Sequence, residues 1–156
     1  GWLVRYYKWN KPHTFFGPTS GAMGYALPAS ISAKLARPGF TAVAFAGDGG
    51  FAMTMSELET AVRYKLERLV AIVFNNNCYG TISRHQKREF PGRNVGTSLG
   101  KINFADIAKA AGARGYSVNS NEEFPVALKS ALDAGGPAVI DIAVSDKHPG
   151  PWDDIK

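Results

Sequence analysis

The feature that most constrains this chain is an alternation of apolar period. Three short, almost wholly apolar runs have strand length: Thr41 to Ala46 (TAVAFA), Leu69 to Phe74 (LVAIVF) and Ala138 to Val144 (AVIDIAV). Continuous apolar strands suit a sheet buried on both faces. Between them the apolar residues recur at helical spacing. Met23, Leu27, Ile31 and Leu35 fall every fourth residue, as on one face of a helix. Pro28 is tolerated only in a first turn, which puts the start near Tyr25, and Pro38-Gly39 ends the helix. Thr54-x-x-Glu57 reads as a capping box opening a helix with Leu58, Val62 and Leu66 inward. Asn103 is an N-cap for a helix bearing Phe104, Ile107, Ala108 and Ala111, stopped by Gly112. Tyr116–Val118 is a short strand. Ser120-x-x-Glu123 caps a helix carrying Phe124, Leu128 and Leu132, broken by Gly135-Gly136.

Strand and helix alternating in this way require crossover connections and a parallel sheet. The expected fold is α/β: a three-layer sandwich, mostly parallel sheet with helices on both faces. Residues 1–156 form a single domain in this reading. Residues 1–18, with Pro12 and Pro18, read as an irregular arm or short strand. Residues 75–100, rich in Asn and Gly, read as a long functional loop. Residues 147–156 read as a Pro-rich tail that frays.

Composition excludes several classes. With 156 residues and 45% of them apolar, the chain can bury a core of its own. No apolar run approaches the ~20 residues of a membrane span, and no membrane association is expected. GWLVRYYKWN at the start lacks the apolar core and cleavage site of a signal peptide. A single Cys excludes an internal disulfide framework and fits a reducing, cytoplasmic compartment. The net charge of +5 permits an anionic partner. No recognition element interleaves basic and aromatic residues, so nucleic-acid binding is not expected.

In parallel sheets, ligands sit at the carboxyl ends of strands, so the segments after Ala46 and Phe74 carry the chemistry. The first is Gly47-Asp48-Gly49-Gly50. Its glycines allow close backbone approach, and its N–H groups can cradle phosphate oxygens. Asp48 would repel a phosphate unless a cation lay between them, which points to bridging Mg²⁺ or Ca²⁺. The second is Asn75-Asn76-Asn77-Cys78-Tyr79-Gly80. Asn supplies a neutral oxygen to a hard cation. If the two strands are neighbours, both segments lie side by side. A ligand set of Asp, Asn and one backbone carbonyl would leave positions for two diphosphate oxygens and a water.

The run GDGGFAMTMSELETAVRY, followed by the strand and NN, resembles the cofactor motif of thiamine diphosphate-dependent enzymes. PTSGAMGYALPASISAKLARP, YGTISRHQKREFPGR and NFADIAKAAGA…PAVIDIAV resemble segments of the acetolactate synthase and benzoylformate decarboxylase group. The resemblance covers roughly residues 14–145. It implies the C-terminal thiamine diphosphate-binding domain of an enzyme that cleaves or forms C–C bonds on 2-oxo acids.

It further implies that Asp48 and Asn76 ligate Mg²⁺ by side chain, and that Cys78 does so by its carbonyl. The spacing from Asp48 to Asn76 is one residue longer than the pattern expects, and a third Asn follows. Asn75 with the Asn77 carbonyl is the alternative register. Gly49 and Gly50 would offer N–H groups to the diphosphate, and Gly50 stands where Ser is frequent. The Gly21 carbonyl would accept from the 4'-amino group of the aminopyrimidine. Met23 would wedge between the two rings, a role suited to a polarizable side chain. Without the resemblance, Met23 is a plain core methionine.

In this family an activating glutamate comes from the pyrimidine-binding domain, usually of a partner subunit, and has no counterpart motif here. Glu57 and Glu59 are not candidates for it. A homo-oligomer, dimer or tetramer, is therefore expected. A noncatalytic thiamine diphosphate-binding or regulatory homologue is the alternative. Cys78 has no His tied to it by a motif, and His13, His85 and His148 form no metal signature. Arg84-His85-Gln86-Lys87-Arg88 is the one basic cluster, either a solvated loop or a lid near an anion.

Overall fold

The computed structural model describes residues 2–145. The expected tail at 147–156, with His148, lies outside them. A parallel sheet of four strands has the order β1-β2-β4-β3, with β1 at Ala42–Gly47, β2 at Leu69–Asn75, β3 at Arg114–Val118 and β4 at Ala138–Ala143. β1 and β2 are direct neighbours, with Gly47 opposite Phe74. Their carboxyl ends, and the segments that follow, are therefore adjacent.

Helices α2 (Ala26–Ala36), α3 (Asp48–Ala52), α4 (Leu58–Arg63) and α6 (Phe104–Ala110) lie on one face of the sheet. There Leu27, Ile31, Phe51, Leu58 and Phe104 pack on Ala44, Ala71, Val73 and Val139. Phe51 and Phe104 meet edge to face at 5.3 Å, a favoured aromatic geometry. Helix α7 (Glu123–Leu132) covers the other face, where Ala127 and Ala131 pack on Val70, Ile72, Val118 and Ile140. These are the three layers expected. No helix among the described residues is long and apolar enough to cross a membrane.

Several local expectations are corrected. Trp2–Tyr6 forms a helix, α1, inside the supposed irregular arm. The Gly-rich segment after β1 is largely helical, because α3 begins at Asp48 itself. The Thr54/Glu57 capping box does not form. Thr54 Oγ1 instead donates to the Gly24 carbonyl at 2.9 Å, and Glu57 accepts from Thr60. A 3-10 turn (Met55–Glu57) precedes α4, and the helix stops at Arg63, with Lys65 at φ 50°. Residues 75–100 are not one long loop, because Gly80–Glu89 is helix α5. Ile82 is the one strongly apolar residue of α5, so no helical period marked it. β3 begins at Arg114, two residues before the expected strand.

Candidate functional site

Asp48 follows directly on β1 and opens α3, and it is 4% exposed. A buried carboxylate is costly unless its oxygens are hydrogen-bonded. Three backbone N–H groups meet this one. Gly49 donates to Oδ1 at 2.7 Å, while Asn76 and Cys78 each donate to Oδ2 at 3.1 Å. The two segments picked from the sequence therefore close on a single side chain.

The turn after β2 has its own order. Asn76 Oδ1 accepts from the Cys78 N–H at 3.1 Å. Asn77 takes φ 56°, a left-handed conformation that Asn tolerates. Tyr79 donates to the Thr97 carbonyl and Leu99 to the Asn77 carbonyl, both at 2.8 Å. These bonds flank an antiparallel bridge between Cys78 and Ser98. In such a pair the flanked residue turns its own N–H and C=O to the opposite edge. That edge is the Asp48 side, where the Cys78 N–H is already found.

Asn75 is engaged elsewhere. Its Nδ2 donates to the Ile102 carbonyl and to Asp141 Oδ1, both at 3.0 Å, and its Oδ1 accepts from the Asn77 N–H at 3.2 Å.

Gly49 and Gly50 lie in the first turn of α3, where N–H groups have no helical partner. A Cβ on Gly49 would stand 2.4 Å from the Tyr79 ring, whereas one on Gly50 would meet only the Gly24 N at 3.7 Å. Gly21 and Met23 belong to the turn before α2. Gly21 has φ 68°, and its N–H donates to Pro18 at 3.4 Å. The Thr54–Gly24 bond ties this turn to the end of α3. Met23 is 47% exposed, so it is not a core methionine. Met53 is also exposed.

Among the residues set aside, Glu59 pairs with Arg63. The basic cluster lies on α5, where Arg88 pairs with Glu89 and approaches His85 Nδ1 at 3.3 Å. Tyr79, Thr54 and Asp141 shape the site without having been picked from the sequence as site residues, and Asn75 was named only in the alternative metal register. A signal existed for Asp141, the one charge inside an otherwise apolar strand.

The donor set fits a hard cation. No His, Cys, Asp and Glu cluster typical of transition metals occurs among the described residues. Asp48 instead offers a buried negative charge bound only by neutral N–H donors, with amide and carbonyl oxygens beside it. Such oxygens suit Mg²⁺, which usually completes its shell with phosphate and water.

The model of the C-terminal TPP-binding domain of thiamine pyrophosphate enzymes matches residues 1–142. Sulfoacetaldehyde acetyltransferase of Alcaligenes xylosoxydans xylosoxydans is 42% identical over 129 residues, 82% of this chain and 21% of that protein. Acetolactate synthase of Bacillus subtilis is 35% identical over 144 residues, 92% of this chain and 25% of that protein. Among solved structures, the thiamine diphosphate-dependent 4-hydroxybenzoylformate decarboxylase of Rhodococcus jostii RHA1 superposes with a TM-score of 0.77 at 34% identity, covering 82% of this chain and 24% of that one. The chain thus spans about a fifth to a quarter of the length of these relatives. With its Asp48-centred site, its three-layer fold and a family match over residues 1–142, this chain belongs to the C-terminal thiamine pyrophosphate-binding domains of thiamine-dependent enzymes.

Proposed function

We propose that this chain is the diphosphate- and Mg²⁺-binding part of an enzyme that cleaves or forms C–C bonds on a 2-oxo acid. The observation that carries the metal reading is the convergence of Gly49, Asn76 and Cys78 N–H groups on the buried Asp48 carboxylate. In this reading Asp48 and Asn76 ligate the metal by side chain and Cys78 by its carbonyl. Asn76 is preferred to Asn75 because the Asn75 side chain is tied to Ile102, Asp141 and Asn77, whereas Asn76 Oδ1 accepts from the same Cys78 N–H that meets Asp48.

Gly50 offers its N–H to the diphosphate, while Gly49, whose N–H is held by Asp48 Oδ1, supplies the bare backbone that lets the ligand approach. The Gly21 carbonyl receives the aminopyrimidine amino group, and the exposed Met23 packs between the two rings. Thiamine diphosphate supplies a nucleophilic carbon and an electron sink for a carbanion next to a carbonyl. This chain binds and bends it, and an activating glutamate comes from the pyrimidine-binding domain of a partner subunit. In this reading a homo-oligomer, dimer or tetramer, follows from that division of labour, and the single Cys fits a cytoplasmic setting.

Calorimetric titration of the full-length polypeptide with thiamine diphosphate, with and without Mg²⁺, tests the site. Binding should require Mg²⁺ and vanish in Asp48→Ala. Binding of equal strength without Mg²⁺, or unchanged in Asp48→Ala, would overturn it. A full-length sequence with no glutamate in a pyrimidine-binding domain would favour the noncatalytic homologue.

A further inference from the structure

Asp141 breaks the pattern of its own strand. It stands in β4 between Ile140 and Ile142, is 8% exposed, and lies opposite Val73 of β2 and Ser117 of β3. An aliphatic side chain would suit that place by burial alone. A carboxylate there needs partners, and it has two. Oδ2 accepts the Phe104 N–H at the start of α6 at 2.9 Å, and Oδ1 accepts Asn75 Nδ2 at 3.0 Å.

The Asn75 bond leads to the site. Asn75 ends β2, with its carbonyl accepting the Val144 N–H at 2.9 Å. Its Nδ2 also reaches the Ile102 carbonyl, and its Oδ1 accepts the N–H of Asn77. That last bond holds Asn77, the left-handed residue of the turn. On either side of it stand Asn76 and Cys78, whose N–H groups grip Asp48. A continuous line of hydrogen bonds therefore runs from Asp141 through Asn75 and Asn77 to the turn that meets Asp48.

We infer that Asp141 is a positioning residue acting through Asn75, holding the 75–78 turn in the shape that presents Asn76 and Cys78 to the metal. This rests on the metal-site reading above. Both Asp141 partners are donors, so an acceptor-only carboxylate satisfies both at once. An Asn in its place would turn an N–H₂ group toward one of two N–H donors, leaving one bond unmade. The turn would lose its anchor while the sheet and core residues stayed unchanged.

The test uses the full-length polypeptide, with Mg²⁺ and thiamine diphosphate as probes and calorimetry and thermal unfolding as readouts. The variants are Asp141→Asn, Asn75→Ala and their double mutant. Asn103→Ala serves as control, since it weakens the start of α6 without touching Asn75. Asp141→Asn and Asn75→Ala should each raise the Mg²⁺ concentration needed for half-maximal cofactor binding at least tenfold. The double variant should be little worse than either single one, because coupled residues are not additive. Asn103→Ala should lower the melting temperature and leave the Mg²⁺ requirement within twofold of wild type.

If wild type shows no Mg²⁺-dependent binding, the functional reading fails. If wild type binds with Mg²⁺ but both single variants stay within twofold of it, only the positioning role fails. Multiplying effects in the double variant would also overturn it. Should Asp141→Asn not fold, the partly buried Asn75→Ala decides: a tenfold change supports the role, and none overturns it.

Discussion

A Cβ built on Gly49 would lie 2.4 Å from Cε1 and 2.5 Å from Cδ1 of Tyr79. Something must shift to relieve so short a contact, and the ring belongs to the turn that faces Asp48. Gly49→Ala should therefore weaken Mg²⁺-dependent cofactor binding by roughly tenfold or more, about 1.4 kcal/mol per decade. Titration of the variant at fixed Mg²⁺ checks this, and wild-type affinity would refute it. Lys34 poses a different residue-level question. It is 5% exposed, and its ammonium donates to the Pro38 carbonyl at 2.6 Å and to the Phe40 carbonyl. Burial lowers its pKa from the ordinary 10.5; Arg68 adds to this and Glu67 opposes it. Between the lowered value and 10.5 the unfolded chain holds a proton that the folded chain has released. Stability from this group therefore rises with pH across that window. As pH rises toward 10.5, urea midpoints should climb in wild type relative to Lys34→Met, and parallel profiles would count against it. Of these residues the glycine run and Asp48 were legible in the sequence. Tyr79 and Lys34 were not, because their roles depend on what lies beside them in space.

Among the helices, capping signals were read with mixed success, and the difference is physical. Asn103 caps α6 as expected, its side chain accepting from the Asp106 N–H at 3.0 Å. Asn103→Ala should cost about 1 kcal/mol, seen as a lower urea midpoint with unchanged slope. Ser120 accepts from the Glu123 N–H at 3.4 Å, and the Glu123 carboxylate accepts from the Asn119 N–H at 2.7 Å, so this start too was legible. Thr54 carried the same signature but bonds instead to Gly24, thirty residues away. A tertiary acceptor outcompeted the local one. Gly115 shows how closely elements can be packed. A Cβ there would stand 1.9 Å from the Ala105 carbonyl oxygen, so β3 and α6 touch through bare backbone. Overpacking of this kind costs about 1–3 kcal/mol. Gly115→Ala should lower the thermal midpoint clearly, and wild-type stability would show that the helix can shift freely. Helix α5 escaped the sequence reading because a polar, charged helix carries no apolar period.

For the molecule as a whole, several large apolar side chains are left exposed. Met23, Met53, Phe74 and Ile82 are each 42–53% exposed. Apolar surface of this sort marks contact regions when it is contiguous. The chain also spans only about a fifth to a quarter of its relatives. If, as proposed, the activating glutamate belongs to another domain, the isolated 156-residue chain turns over no 2-oxo acid. A decarboxylation assay with Mg²⁺ and thiamine diphosphate measures this, and turnover by the chain alone would refute it.

The sequence by itself determined the class of fold and singled out the two segments that meet at Asp48. Buried parallel strands must be continuously apolar, and a charge in a glycine run after such a strand is visible without any neighbour. It left open which of Asn75 and Asn76 faces the site, because one-residue register in a turn is invisible to composition. Only the tertiary structure gave Asn75 its partners, by laying β4 beside β2 and bringing Asp141 to it across 66 residues of chain. Hydrogen bonds of that range are made by sheet order, and sheet order is decided by the packing of the whole domain.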